Sequence, residues 1–278
     1  MSENGYKKNI DALFFEAKSL PVIDRVVQEL IASFSNESVS ADYIVSRIVS
    51  DPVLSAKLLR RANSAYFKVA RQVATVFEAM HVLGFVNLRT QVISIALTDC
   101  FKNAEGIELK RFWRYSLHTA VVSRYWAKQA GLNPELAFTI GLMHAIGHLV
   151  MYLAMPQAMQ KIEQAMPLMT PGRAQFEQNQ LGYCYAEVGA ELARRWSFPE
   201  TFAIAIAGLV NPAACEEPLA ALVHLAAWRA QAEECGLRDL AGVWPAEVAA
   251  LIGLSGTEAL QSLPDWDVLC EGLQDLMG

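Results

Sequence analysis

The sequence predicts an all-α protein, a multi-helix bundle, and three observations support this. Apolar residues recur at spacings of three and four along almost the whole chain, which is typical of a buried helix face. Ser, Thr, Asp or Asn stands before many of these stretches, as at a helix N-terminus. The sequence contains neither the alternating pattern of a half-buried strand nor a repeat of about 20–50 residues.

In the first half of the chain, helix boundaries are indicated by residues that satisfy free backbone groups at helix ends. Apolar positions within residues 23–34 share one helix face, and Ser40 is the expected N-cap of the following helix. Asp51-Pro52 predicts another helix start, because proline loses no hydrogen bond at the first helical position. Thr75-Val76-Phe77-Glu78 matches a capping box, and Gly84 is placed to end that helix.

In the second half, a helix over residues 112–130 is expected to end at Gly131. Asn133-Pro134 then predicts the start of the next helix, and Ser255 to Glu258 matches a second capping box in the tail. Pro156, Pro167 and Pro171-Gly172 are expected to mark breaks in the segment after the second of these helices. Further helices are expected at about residues 173–181, 186–196, 199–210 and 218–235.

The polar segment 102–110 is the best candidate for a joint, because it contains Gly106 and separates two helical halves. We therefore predict an N-terminal helical subdomain over residues 1–105, packed with a second helical subdomain over residues 106–230. Residues 231–278 form a C-terminal helical extension whose role the sequence does not indicate.

The composition favours a reduced cytoplasmic protein. Of its 278 residues, 53% are apolar and 19% are charged, which excludes intrinsic disorder. The net charge of −6 argues against nucleic-acid binding, since phosphate neutralisation needs clustered Lys and Arg. The five cysteines include no CxxC pair, so neither a disulfide framework nor a zinc ribbon is indicated. No apolar run of a secretory signal follows Met1.

Residues 136–155 raise the question of a membrane span. They include no Asp, Glu, Lys or Arg, and a span needs about 20 residues. Their flanks have neither a basic cluster nor paired aromatic belts. A helix that is apolar all round is also typical of the centre of a large bundle. We therefore expect a buried core helix without membrane insertion.

The histidines are the titratable residues that could form a site, since the phosphate-binding and nucleophile-elbow motifs are missing from the sequence. His144 and His148 are four residues apart and so share one helix face. They could be hydrogen-bonded core residues, or they could share a metal with His118 and His224. The residues between them include no Glu, so the zinc-protease motif HExxH is not met.

Several motifs occur in a fixed order in both halves of the chain. They are Leu20-Pro21, Ser50-Asp51-Pro52, the run from Leu58 to Phe67, Leu83-Gly84, the run from Phe112 to Ser116, the run from Gly141 to Gly147, the run from Glu187 to Ala190, and the run from Arg195 to Glu200. Together they resemble the HDOD family of bacterial signalling proteins, non-enzymatic relatives of the HD-domain metal-dependent phosphohydrolases. The resemblance extends over about residues 14–230, and it implies that the second subdomain is a degenerate HD-like one.

The resemblance also implies which positions would hold metal ligands in a metal-bearing HD domain. Only His144 keeps a ligand type, whereas Ala145 replaces the Asp of the His-Asp pair. A hydrolytic metal needs several His and carboxylate ligands and an open water position. The positions in question are Tyr115, His144, Ala145, Tyr185, Gly208 and Ala227. We expect either ordinary core packing there or a remodelled pocket that binds a small ligand.

The function that follows is a non-catalytic regulatory module of bacterial signal transduction, without a cofactor, that binds a signalling protein. The alternatives are a sensor that binds a nucleotide or second messenger in the remodelled pocket, and a phosphohydrolase with an unusual histidine set. Neither the partner nor the oligomeric state can be inferred from the residues.

The candidate ligand or partner contacts lie in two places. Lys57, Arg60, Arg61, Lys68 and Arg71 form a basic cluster, which is either a solvated helix face or a docking patch for an acidic group. The turn that begins with Asn63 and Ser64 is either a partner contact or a helix cap with an aromatic plug. His118 and His148 are the remaining candidates.

Overall fold

A computed structural model describes residues 10–16, 22–32, 40–64, 69, 71–271 and 273. All regular secondary structure within these residues is helical, which confirms the predicted all-α class. The α-helices are α1 (Ile10–Glu16), α2 (Arg25–Ala32), α3 (Ala41–Val49), α4 (Pro52–Ala62), α5 (Val76–Cys100), α6 (Leu109–Gln129), α7 (Pro134–Met143), α8 (Ile146–Ala154), α9 (Pro156–Ala165), α10 (Arg173–Leu181), α11 (Tyr185–Arg195), α12 (Glu200–Gly208), α13 (Pro218–Glu234), α14 (Ala246–Ala250), α15 (Gly256–Ser262) and α16 (Trp266–Leu269).

The predicted caps in the first half of the chain are formed. The side chains of Ser40 and Asp51 accept hydrogen bonds from backbone N–H groups in the first turns of α3 and α4. Thr75 and Glu78 form the reciprocal capping box at the start of α5. Gly84, with φ 74° and ψ 156°, leaves the helical conformation and divides α5 into two helical stretches, so the predicted helix end at this residue is confirmed. Residues 33 and 34, at the end of the range 23–34 that contains the predicted helix face, lie outside the described residues.

One helix predicted from Asn133-Pro134 onwards is two helices, α7 and α8, which meet at His144 and Ala145. The His144 Nδ1–H group donates a hydrogen bond of 2.7 Å to the Gly141 carbonyl oxygen. A continuous helix would use this carbonyl for the backbone N–H of Ala145, so the side chain competes with the helical hydrogen bond. The break between α7 and α8 lies at His144 and Ala145, where the resemblance implies the His-Asp pair of a metal-bearing HD domain.

The predicted breaks at the prolines are confirmed, whereas the second capping box is wrong. Pro156 begins α9 at its first position, where the missing N–H has no cost, and Pro167 and Pro171 lie between α9 and α10. Ser255 precedes α15, but its side chain makes no cap hydrogen bond, so the second capping box is not formed. The three predicted subdomain boundaries stay a prediction.

The charge-free segment lies in the core of the bundle, as predicted. By length and composition alone, Val76–Cys100 and Pro134–Ala154 could each cross a membrane. In the second of these, 89% of the most apolar window is buried inside the protein, compared with 56% in the first. Its side chains pack against α6, α11 and α13, which together surround α7 and α8.

The helices around this core approach one another closely at glycines. A Cβ atom on Gly147 in α8 would lie 1.9 Å from the Tyr185 carbonyl oxygen and 2.7 Å from the Gly189 nitrogen, both in α11. A Cβ atom on Gly141 in α7 would lie 2.8 Å from the Ala120 Cα atom in α6. Only glycine permits these backbone contacts, and they set the positions of the side chains at the starts of α8 and α11.

The C-terminal extension packs against the outside of α6. The Trp126 Nε1–H group donates a hydrogen bond of 3.1 Å to the Ala259 carbonyl oxygen of α15. The ring of Trp266 in α16 stacks on that of His118, with 4.2 Å between centroids. The extension therefore buries one of the predicted contact residues.

The close approach of α8 and α11 makes a prediction about stability. Gly147→Ala is expected to lower the free energy of unfolding by about 3 kcal/mol or more, because its Cβ would overlap backbone atoms that cannot rotate away. Gly189→Ala is the matched control, since its Cβ would lie 3.2 Å from the Ile206 Cγ2 atom and 3.4 Å from the Gly147 nitrogen, contacts that need a shift of only a few tenths of an ångström, and it should cost about 1 kcal/mol. Urea denaturation of both variants measures the difference, and equal losses would contradict this account of the helix contact.

Candidate functional site

A cavity of about 570 Å³ lies among α6, α8, α10, α11 and α13. It brings together four of the predicted site residues, Tyr115, Ala145, His148 and Tyr185. Residues 168–172, in the loop before α10, and residues 209–211, after α12, complete its wall. Side chains far apart in the sequence thus meet at the position that the family comparison indicated.

Three other predicted positions lie outside the cavity wall. His144 is fully buried behind it, and its ring meets the Tyr115 ring edge-on with 4.9 Å between centroids. Gly208 is a packing requirement, because a Cβ atom there would lie 2.4 Å from the Cys215 sulfur. Ala227 is half-buried on α13 and does not line the cavity.

His144 is an uncharged core histidine. Burial lowers its pKa to about 4, although the hydrogen bond to the Gly141 carbonyl opposes this shift. Since the carbonyl can only accept, the proton of the neutral ring is on Nδ1. The buried Nε2 atom then has no hydrogen-bond partner among the described residues.

His148 takes part in a buried ionic network with α10. Its Nδ1 atom lies 3.2 Å from Glu177 Oε1, and its ring stacks on Tyr185 with 4.2 Å between centroids. The Arg173 Nε–H group donates a hydrogen bond of 2.7 Å to the same carboxylate oxygen. The other oxygen accepts one of 2.9 Å from the Tyr185 backbone N–H. We call His148, Glu177 and Arg173, with Glu163, the buried network.

The buried network is held together by opposite charges. Burial raises the pKa of Glu177, but its contacts with His148 and Arg173 lower it by more, so the carboxylate stays ionised. Arg173 also donates a hydrogen bond of 2.9 Å to Glu163 Oε2. Glu163 accepts another from the Leu168 backbone N–H, which ties the loop before α10 to the network.

The two tyrosines of the cavity wall keep their hydroxyl protons. Burial raises the pKa of Tyr115 and of Tyr185 far above the usual value, and the neighbouring Tyr115 phenol raises that of Tyr185 further. Both therefore act as neutral hydrogen-bond donors. Among the described residues, neither hydroxyl has a recorded hydrogen-bond partner.

The alternative prediction, a metal site formed by His118, His144, His148 and His224, is wrong. His118 stacks on Trp266 in the extension, and the His224 Nδ1–H group donates a hydrogen bond of 2.7 Å to the Leu209 carbonyl oxygen. Within the described part of the chain, no group of three or more His, Cys, Asp or Glu could hold a metal ion.

The cavity wall does not fit the divalent metal of an HD domain. His148, His224 and Cys184 are its only ligand types, and burial raises the pKa of the Cys184 thiol to about 11. The nearest carboxylate, Glu177, has both oxygens occupied by Arg173 and backbone N–H contacts. A catalytic metal site needs about three protein ligands and an open position, which this wall does not supply.

Two of the predicted contact residues at the end of α4, Arg61 and Asn63, have structural roles. The buried Arg61 side chain donates a hydrogen bond of 2.7 Å to Gln91 Oε1. The Asn63 amide bonds to the carbonyl and N–H of Val73 and so closes the loop before α5. Arg60 is exposed and Ser64 half-exposed, and a partner contact at these two residues stays a prediction.

The basic cluster around α4 does not form one free patch. Lys57 pairs with Asp99, and Arg71 lies 2.9 Å from Glu78. Lys68, like residues 65–67 of the predicted turn, lies outside the described residues. Of the five basic side chains, two are thus neutralised by carboxylates and Arg61 is buried.

Sequence reasoning missed Arg173 and Glu177, although it predicted the boundaries of α10. Their spacing of four residues is a signal for an ion pair on one helix face. The same spacing occurs in surface pairs of this protein, such as Arg25 with Glu29. The pattern alone therefore does not separate a buried pair from a solvated one.

The fold and the cavity define an HD-related all-α module. The sequence profile of the HDOD domain matches residues 20–212, well over half of the chain. The chain therefore belongs to the HDOD domain family. A curated relative, an uncharacterised protein of Treponema pallidum (strain Nichols), is 28% identical over 185 residues. This match covers 65% of the chain but only 36% of the relative.

Solved structures share the fold over nearly the whole chain. One is a protein of Shewanella amazonensis SB2B named provisionally as a phosphohydrolase, with 29% identity, a TM-score of 0.77 and coverage of 96% of this chain and 98% of that one. An HDOD domain protein of unknown function from Geobacter sulfurreducens has 22% identity, a TM-score of 0.69 and coverage of 97% and 93%. A protein of Marinobacter aquaeolei VT8, named provisionally for signal transduction, has 21% identity, a TM-score of 0.73 and coverage of 98% and 61%. Together with the family, these neighbours indicate a regulatory HD-related module.

The low pKa of His144 predicts how stability depends on pH. The unfolded chain binds a proton at this residue near pH 6.5, whereas the folded protein does so only near pH 4. Stability is therefore full above pH 6.5 and decreases as the pH falls to 4, by roughly 3 kcal/mol from this group. Urea denaturation at several pH values in this range should show that the free energy of unfolding changes less with pH in His144→Gln than in the natural chain. The exposed His81→Gln is the control, and the same pH dependence in both variants would contradict the assignment.

The buried network predicts a second effect on stability. Glu177→Gln is expected to cost about 3 kcal/mol, because it leaves the Arg173 guanidinium buried beside a neutral amide. The double variant Glu177→Gln/Arg173→Met should recover part of this loss, since it removes the buried charge whose Glu177 partner is gone and leaves the half-exposed Glu163 to the solvent. Denaturation of the single and double variants measures the coupling, and additive losses would show that the two charges are independent.

Proposed function

We propose that this protein is a non-catalytic regulatory module that acts by binding a signalling protein. The observation that carries the proposal is the cavity wall, where Tyr115, Ala145 and Tyr185 stand at positions of metal ligands in HD domains. Membership of the HDOD family and the signal-transduction name of one structural neighbour support a regulatory role.

The charges of the cavity also support a non-catalytic role. A hydrolytic HD domain would place a dication and its water at this point, with carboxylates as ligands. Here the nearby carboxylates Glu177 and Glu163 are both bound to Arg173. The positive charge that they compensate thus belongs to a side chain, which cannot activate a water molecule as a bound dication does.

A second candidate is a sensor that binds a small molecule without hydrolysing it. The volume of about 570 Å³ favours this function, since small-ligand sites usually measure about 300–1,000 Å³. In such a module, occupancy of the cavity would alter the loop before α10, which is tied to the buried network through Glu163.

The proposal is tested on the purified full chain by metal analysis and hydrolysis assays. We expect no stoichiometric Mn, Fe or Ni, and no turnover of cyclic mononucleotides, cyclic dinucleotides or bis(p-nitrophenyl) phosphate when these metals are added. The reason is that the cavity wall has too few ligands to hold a dication. Stoichiometric metal together with turnover would overturn the proposal.

The triple variant Tyr115→His/Ala145→Asp/Tyr185→His is the matched positive control for these assays. It returns three ligand types to one cavity wall and should bind Mn²⁺ measurably more tightly than the natural chain. Circular dichroism confirms that the variant is folded before its metal content is compared.

A further inference from the structure

The cavity wall offers hydrogen-bond donors and acceptors that the fold itself does not use. Tyr115 and Tyr185 supply two protonated hydroxyls that have no recorded partner among the described residues. The Arg173 Nη2 group is buried on the same wall, also without a partner in the described part of the chain. The His224 Nδ1–H group is bound to the Leu209 carbonyl, which leaves the Nε2 atom of this wall residue for a ligand.

The wall also offers flat apolar surfaces. Trp228 and the two tyrosines contribute aromatic rings to the cavity. Trp228 meets Trp244 edge-on at 5.5 Å, an arrangement that fixes the ring without stacking on it. Aromatic walls combined with donors and acceptors fit a planar ring whose edge carries both kinds of polar atom.

The charge of the wall argues against an anionic ligand. Among the described residues that line the cavity, Arg173 is the only Lys or Arg. Its guanidinium is bound by Glu177 at 2.7 Å and by Glu163 at 2.9 Å. Two carboxylates thus outweigh one guanidinium, and a phosphate buried here would lose its hydration without gaining an unpaired cation.

From these three observations we propose that the cavity binds an uncharged nitrogen heteroaromatic compound of nucleoside size and disfavours its phosphorylated form. The inference rests on the sensor function proposed above and is independent of partner binding. The inference excludes nucleotide second messengers from the ligands of that sensor, because they carry phosphates that the wall does not accommodate.

Isothermal titration and thermal-shift measurements on the full chain test the ligand class. The probes are adenosine and guanosine, each compared with its 5′-monophosphate. We expect at least one nucleoside to bind and raise the melting temperature, and its monophosphate to bind at least about tenfold more weakly. A monophosphate that binds as tightly as its nucleoside overturns the proposal, as does the absence of binding by all four probes.

Variants test whether the nucleoside binds in the cavity. Tyr115→Phe and Tyr185→Phe each remove one hydroxyl and keep the ring, so each should weaken binding about tenfold. Tyr43→Phe is the matched control, because its hydroxyl donates to Glu29 on the surface of the N-terminal helices. Unchanged binding in both cavity variants places the ligand elsewhere and overturns the proposal. Phosphodiester turnover would instead overturn the non-catalytic function, so the two failures can be told apart.

Discussion

The backbone contact between α8 and α11 is the constraint on which the site depends. At Gly147 the two helices are so close that no side chain fits between them. This contact places Ala145 and His148 from one helix beside Tyr185 from the other. With α6 and α13 packed around them, the helices leave the cavity that these side chains line.

Within that frame, the buried network supplies the polarity of the site. Arg173, Glu177 and His148 are almost fully buried, and ions in such surroundings are tolerated only when they are paired. The network fixes the His148 ring against Tyr185 and ties the loop before α10 to α9 through Glu163. A side-chain cation held by two carboxylates thus supplies the buried charge beside the cavity.

The C-terminal extension adds a restraint that the family comparison does not include, since the matched profile ends at residue 212. Trp266 covers His118, and Arg229 lies over the same indole ring at 4.7 Å. The extension therefore closes the part of α6 that bears His118.

Local signals in the sequence determined the helical class, most helix boundaries and the caps at Ser40, Asp51 and Thr75, because each depends on neighbouring residues along the chain. The family motifs also located Tyr115, Ala145 and Tyr185 at one site. The break at His144 and the separation of the four histidines were decided only by the tertiary structure. So was the burial of Arg173 and Glu177, since their helix spacing is the same as that of a solvated pair. Whether a charge is buried depends on what other parts of the chain place around it, and no local pattern encodes that.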